Sequence, residues 1–168
     1  MNLLRKFEER DIEILARLRN DWALQHLLLG NPVQVAECDL LTETFDWALR
    51  RHNTGFFRVV EAQDGTAVGF TQVSNIHNKN RNGWMGLALI REVRGQGIGV
   101  QIVDAIEKVA FQTLGLRKLL LEVRIDNSPA IALYTRLGWR EVGCLTSHYD
   151  DGTQLHDVLI YERHLGVR

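Results

Sequence analysis

The 168-residue chain is 45% hydrophobic and 24% charged with a formal net charge of −1, proportions that fit one globular domain over residues 1–168, large enough to bury a core. No basic stripe or positive excess is present to hold nucleic acid, and uncharged apolar runs such as 86–90 fall far short of the roughly 20 residues that cross a bilayer. The first residues, Met1-Asn2-Leu3-Leu4-Arg5-Lys6-Phe7-Glu8-Glu9, carry charge where a signal peptide is apolar, and Cys38 and Cys144 lack metal or redox spacing; a cytoplasmic protein with both thiols reduced, in the core or just below the surface, is expected.

Residues 3–7 read as a short strand, and Asp11 is placed to cap a helix whose apolar positions Ile12, Leu15, Ala16 and Leu18 recur at helical spacing. A second helical stretch, 21–29, stops at Gly30-Asn31-Pro32, and a third, 39–51, carries Leu40, Leu41, Phe45, Trp47, Ala48 and Leu49. Strands over 55–62 and 67–74 are joined by Gln63-Asp64-Gly65-Thr66, where Asp-Gly between apolar runs signals a hairpin. Beyond a polar loop at 77–82, residues 84–90 read as a buried strand. Residues 98–114 follow as an amphipathic helix with Ile102, Ala105, Ile106, Val109 and Leu114 inward, and 117–123 as the next strand. Asn127 or Ser128 caps a helix with Pro129 in its first turn and Gly138 at its end. Strands at 140–149 and 153–163, linked across Asp150-Asp151-Gly152, close the chain. Hairpins make the first half of the sheet antiparallel, and a right-handed crossover makes the fourth and fifth strands parallel. The expected fold class is α/β (α+β): a mixed central sheet of about seven strands with helices on both faces.

Two segments carry the chemistry. Arg94-Gly95-Gln96-Gly97-Ile98-Gly99, followed by Val100, sits where a strand gives way to a helix. Alternating glycines let backbone N–H groups approach an anion, the helix start adds the positive end of its dipole, and Arg94 adds forked donors suited to phosphate. Such turns also occur as tight connections that bind nothing. Gly99 is followed by Val100-Gln101 rather than Lys-Ser or Lys-Thr, which argues against a P-loop. Counted from Gly95, the third glycine of a dinucleotide fingerprint falls at Val100, and Asp126 lies beyond the usual separation of about 20 residues. A nicotinamide-dependent oxidoreductase therefore rests on the glycine turn alone. The second segment is Asn127-Ser128-Pro129-Ala130-Ile131-Ala132-Leu133-Tyr134-Thr135-Arg136-Leu137-Gly138-Trp139, one strand later.

Together the two segments resemble the acyl-CoA motifs of the GCN5-related N-acetyltransferase (GNAT) superfamily. The branch resembled holds ribosomal-protein alanine, polyamine and nucleotide-amino-sugar acetyltransferases. The likeness covers residues 55–163 well and the first 50 in outline. It implies a V-shaped splay between the fourth and fifth strands, acetyl-CoA as co-substrate and no metal. It also implies acetyl transfer to a primary amine of a small molecule or peptide N-terminus, by direct attack in a ternary complex. By this resemblance the backbone of Leu87, Ala88 and Leu89 pairs with the pantetheine arm, and a free N–H near Leu89 polarises the acetyl carbonyl. Arg94, Gly95, Gln96, Gly97, Ile98, Gly99 and Val100 hold the diphosphate, and Asn127, Ala130 and Tyr134 contact the cofactor. Tyr134 is the implied general acid for the departing thiolate, a phenol with an ordinary pKa of about 10 being protonated at neutral pH. It also fits a helix residue packing beside Leu133 and Leu137, and Asn127 a simple cap.

Relatives often dimerise through the last strands, so a homodimer is expected, and residues 20–39 with the last hairpin should wall the acceptor pocket. Where many relatives place a glutamate base on the fourth strand, this chain has Gly83-Trp84-Met85-Gly86; His77, Glu37 and His26 are the substitutes available. That gap leaves open a non-catalytic acyl-CoA-binding sensor or assembly module. The segment 26–36 has no carboxylate, which argues against polyamines. His148 and His156 flank the final hairpin without a third ligand in register, too few for zinc.

Overall fold

The computed structural model describes residues 3–30 and 37–166, with the side chains of Glu37, Cys38 and Thr54 outside the described set. Seven strands, β1 (Leu4–Arg5), β2 (Phe56–Glu61), β3 (Ala67–His77), β4 (Asn82–Leu89), β5 (Lys118–Arg124), β6 (Arg140–Asp150) and β7 (Leu155–His164), form a sheet in the order β1-β2-β3-β4-β5-β7-β6. Every neighbouring pair is antiparallel except β4 and β5. The helices are α1 (Ile12–Asn20), α2 (Trp22–Leu27), α3 (Glu37–Thr54), α4 (Ile98–Gln112) and α5 (Ser128–Arg136). None among the described residues is long and apolar enough to cross a membrane.

Both faces of the sheet are covered. On one, Leu119, Leu121 and Val123 of β5 and Met85 and Leu89 of β4 meet Ile102, Val103, Ile106 and Ala110 of α4. On the other, Phe57, Phe70 and Ala88 meet Leu15 and Leu18 of α1, Leu24 of α2 and Ala48 of α3. Residues such as Ile102 and Ile106, with no exposed surface, each stabilise the fold by about 1.5–3 kcal/mol. The period of two along β5 sends Leu119, Leu121 and Val123 to the α4 face, and thereby sends Leu120, Glu122 and Arg124 to the other.

Local departures from the sequence reading have physical causes. Asp11 does not cap α1 through its side chain. It is almost fully buried, accepts from the Glu8 N–H and takes both terminal nitrogens of Arg5 at 2.7 Å, so it closes the preceding 3-10 turn at Glu9–Asp11. Strand β3 runs on past Ser74 through a register break in which Asn75 has φ 48°; the bulge hides the strand's alternation. Cys144 is exposed on β6 rather than buried, because β6 is an edge strand paired only with β7. Cys38 lies outside the described side chains.

Candidate active site

Strands β4 and β5 pair only at Asn82↔Lys118, Gly83↔Leu119 and Trp84↔Leu120. Beyond that, β4 stays with β3 as far as Leu89 and β5 stays with β7 as far as Arg124, so the two parallel strands diverge. The Ile90 N–H donates to the Val68 carbonyl at 2.9 Å, on the β3 side. Main-chain groups alternate in direction along a strand, so those of Leu87 and Leu89 face the gap and those of Ala88 face β3. Arg94 confirms the direction: its Nε and Nη2 donate to the Leu89 carbonyl at 2.9 and 2.7 Å. Part of the guanidinium reserved for phosphate in the sequence reading thus supports β4 instead, with Asp21 4.0 Å away.

Past Arg94 the chain turns through Gly95 (φ 77°) and Gly97 (φ 82°), and α4 begins at Ile98 with Gly97 as its N-cap. A Cβ on either glycine would meet nothing within 4 Å. The left-handed backbone explains why glycine is needed there; the open space in front of it leaves the first N–H groups of α4 available to an anion. Gly99 is tighter, since a Cβ there would stand 3.2 Å from the Leu133 side chain, and the missing side chain lets α5 approach α4. The cradle, the gap and α5 enclose a cavity of about 580 Å³ whose lining includes Leu87, Leu89, Arg94, Gly95, Gly97, Ile98, Gly99, Val100, Asn127, Ala130 and Tyr134. Of the residues expected to hold the cofactor, only Ala88 and Gln96 are missing from it: Ala88 points into the α1–α3 core, and the Gln96 amide bonds back to the Glu92 carbonyl. The pattern fits a long anionic carrier with a chain of amides.

A second cavity of about 430 Å³ adjoins the first. Leu27, Leu28, Leu87, Asn127, Ala130 and Tyr134 line both. Asn127 caps α5 through its side-chain oxygen, so its cap role and its place in the cavities coexist. Tyr134 is 8% exposed, with the Trp139 ring centroid at 5.5 Å and that of Tyr161 at 6.5 Å. Burial pushes its phenol up to about 12, the direction desolvation dictates for a group that ionises to an anion.

The acetyltransferase (GNAT) family model matches residues 16–139. The chain belongs to the GNAT acetyltransferase family. An N-alpha-acetyltransferase of Sulfurisphaera tokodaii is 32% identical over 62% of this chain and 67% of its own. That of Saccharolobus solfataricus is 33% identical over 50% of this chain, which spans about half the relative's length (51%). The spermidine N(1)-acetyltransferase of Vibrio cholerae is 23% identical over 92% of this chain and 88% of its own. A crystal structure of spermidine N-acetyltransferase from Vibrio cholerae in complex with CoA and spermine superposes with a TM-score of 0.86 at 22% identity, covering 96% of this chain and 94% of that one. The seven-stranded splayed sheet is thus the GNAT fold, and the enzyme is an acetyl-CoA-dependent N-acetyltransferase acting on an amine.

Leu27 at the end of α2 and Leu28 and Leu29 just after it line the second cavity, together with Gln72, Ser74 and Asn75 of β3, Trp84 and Gly86 of β4 and Glu122 of β5; among the described residues its lining includes none from the last hairpin. Tyr149 of the hairpin acts from outside, donating to the Gly30 carbonyl at 2.8 Å and meeting His26 Nδ1 at 3.0 Å. His26 is thereby occupied. His77 accepts from the Asn80 N–H in the β3–β4 turn, and Glu37 lies outside the described side chains. A carboxylate is absent from β4 but present on β5: Glu122 lines the second cavity, turned away from α4 by the alternation Leu119-Leu120-Leu121-Glu122-Val123. His156 is buried and bonds Asp151 at 2.6 Å. No group of three or more possible metal ligands gathers among the described residues.

Proposed function

We propose that this GNAT enzyme acetylates a primary amine of a small molecule or peptide N-terminus by direct attack in a ternary complex, as one domain over residues 1–168. The observation that carries the reading is the meeting of two cavities at Tyr134, one beside the glycine cradle and one beside Glu122. Acetyl-CoA supplies a thioester already activated for attack, so the C–N bond forms as the C–S bond breaks. The N–H groups of Ile98 and Gly99 and the free donors of Arg94 hold the diphosphate end. Leu87 and Leu89 present main-chain groups to the amide-bearing arm, and the Leu89 N–H takes the developing oxyanion. Tyr134 gives its proton to the departing thiolate and recovers it from solvent. Glu122 receives the ammonium group of the acceptor and carries its proton away. No cysteine lines either cavity among the described residues, which supports direct transfer over an acyl-enzyme. Glu122 in the second cavity offers the carboxylate missing from β4, which favours the enzyme over the sensor.

The same reading includes a cytoplasmic protein that pairs two copies through β6, an outer strand with Val142 and Cys144 exposed; light scattering tests the pairing. The activity is tested by incubating the protein with acetyl-CoA and a panel of amines and following thiol release. Binding of acetyl-CoA without amine-dependent release would return the chain to the sensor class.

A further inference from the structure

The Tyr134 phenol is aimed by the packing of its ring, because no hydrogen bond or charge among the described residues acts on its hydroxyl. Two aromatic rings pack against it, those of Trp139 and Tyr161, with centroids at 5.5 and 6.5 Å. Tyr161 belongs to β7 and is paired on both sides, with Leu121 of β5 and Glu141 of β6, so the sheet fixes it. Trp139 belongs to neither helix nor strand; it lies in the link between α5 and β6. Its main-chain N–H donates to the carbonyl of Tyr134 itself at 3.0 Å, which ties the two backbones but leaves the indole to be held some other way. The indole is 4% exposed, and a buried indole N–H needs an acceptor. Glu107 of α4 supplies it, with Oε1 3.0 Å from Trp139 Nε1.

The other oxygen of Glu107 lies 3.5 Å from Arg163 Nε, and Arg163 Nη1 donates to the carbonyl of Gly138, the residue before Trp139, at 3.2 Å. A carboxylate accepts at both oxygens; an amide in its place accepts at one and turns an NH₂ group towards a donor. The link carrying Trp139 is thus anchored to α4 through its indole and through Gly138. Glu107 also lies about two turns beyond Gly99, where α4 meets Leu133. Tyr134 sits between the two points, Leu133 and Trp139, at which its segment meets the helix that starts in the glycine cradle. Glu107 itself lines neither the cofactor cavity nor the acceptor cavity beside Glu122.

We infer that Glu107 is a positioning residue for acetyl transfer: it holds the Trp139 indole against the Tyr134 ring and so keeps the phenol directed at the departing thiolate, a role that rests on the general-acid reading of Tyr134. The test is a double-mutant cycle in kcat. Thiol release from acetyl-CoA is followed for the wild-type protein, Glu107→Met, Tyr134→Phe and the double variant, using the fastest of ethanolamine, glycinamide, glucosamine and spermidine. Glu107→Met is expected to lower kcat about tenfold in the wild-type background and less than about twofold in Tyr134→Phe, since misdirecting a proton donor matters only while the donor is there. The acetyl-CoA dissociation constant from calorimetry should change less than about threefold in either background. Glu107→Gln keeps the shape and one acceptor, and its smaller fall of about threefold carries the same cycle should Glu107→Met lose its fold by circular dichroism. An equal fall in both backgrounds, no fall in the wild-type background, or a fall matched by lost acetyl-CoA affinity overturns the positioning role and leaves the general acid intact. Wild-type turnover in Tyr134→Phe overturns the general acid and the positioning role with it, and release with none of the four amines overturns both as well.

Discussion

Tyr134→Phe removes one oxygen from the junction of the two cavities and leaves the ring between Trp139 and Tyr161. Burial is the sole cause of the phenol's rise from 10 to about 12; no hydrogen bond or charge contributes. At pH 7 only about one molecule in 10⁵ carries the phenolate, so the proton needed by the leaving thiolate is in place at every turnover. Replacing the hydroxyl should lower turnover by roughly 10²- to 10³-fold, within the usual range for a positioned general acid, while the acetyl-CoA dissociation constant measured by calorimetry changes less than threefold. The same burial links stability to alkali. The folded pKa lies above the unfolded one, so the folded state keeps the proton between pH 10 and 12 while the unfolded chain releases it. The stabilisation is complete below pH 10 and is lost as pH rises towards 12, by about 3 kcal/mol for two pKa units. Urea unfolding at pH 9 and pH 11.5 should show this loss in the wild-type protein and a smaller one in Tyr134→Phe. Wild-type turnover in the variant, or a turnover loss matched by an equal loss of acetyl-CoA affinity, would refute the general-acid role.

Gly97→Ala forces a side chain into a left-handed backbone and into the open cradle; about 1–2 kcal/mol of stability and at least tenfold in acetyl-CoA affinity should be lost, the first read by denaturant titration and the second by calorimetry. Unchanged affinity would remove the cradle from the binding site. Glu122→Gln should lower kcat/KM for the amine about 10²-fold without weakening acetyl-CoA binding, and an unaltered rate would assign the proton to solvent. Tyr149→Phe loses the hydrogen bond to the Gly30 carbonyl and the contact with His26; about 1 kcal/mol of stability and a several-fold higher amine KM are expected, because Leu27, Leu28 and Leu29 just before Gly30 line the acceptor cavity. An unchanged KM would show that these residues hold their positions without the tether.

The sheet was legible because its signals are local: Asp64-Gly65 for a hairpin, alternation along β5, Gly95 and Gly97 for left-handed turns at a helix start. The cofactor side was legible for the same reason, since two contiguous segments supply most of it. The acceptor side was not. Gln72, Gly86 and Glu122 are separated by 14 and 36 residues in the chain and meet only in the second cavity, through the order of β3, β4 and β5 in the sheet, which periodicity does not specify. Arg94 has a second task that its type and place did not reveal. The divergence of β4 from β5 leaves the Leu89 carbonyl without a strand partner, and Nε and Nη2 of Arg94 take it.

That carbonyl points to how the splay is maintained. Separating two parallel strands strips each of main-chain hydrogen bonds, and a buried group left unpaired costs about 1–3 kcal/mol. The seven register pairs of β5 with β7, and the pairs of β4 with β3 as far as Leu89, satisfy the groups that face those strands but not the ones that face the gap. On the open side Arg94 satisfies the Leu89 oxygen, while the N–H groups of Leu87 and Leu89 have no protein strand to meet. A ligand with amides at peptide-like spacing gains those contacts without first displacing any partner strand. The affinity of the cleft for its carrier and the separation of the strands therefore have the same source: a parallel register that stops after three pairs.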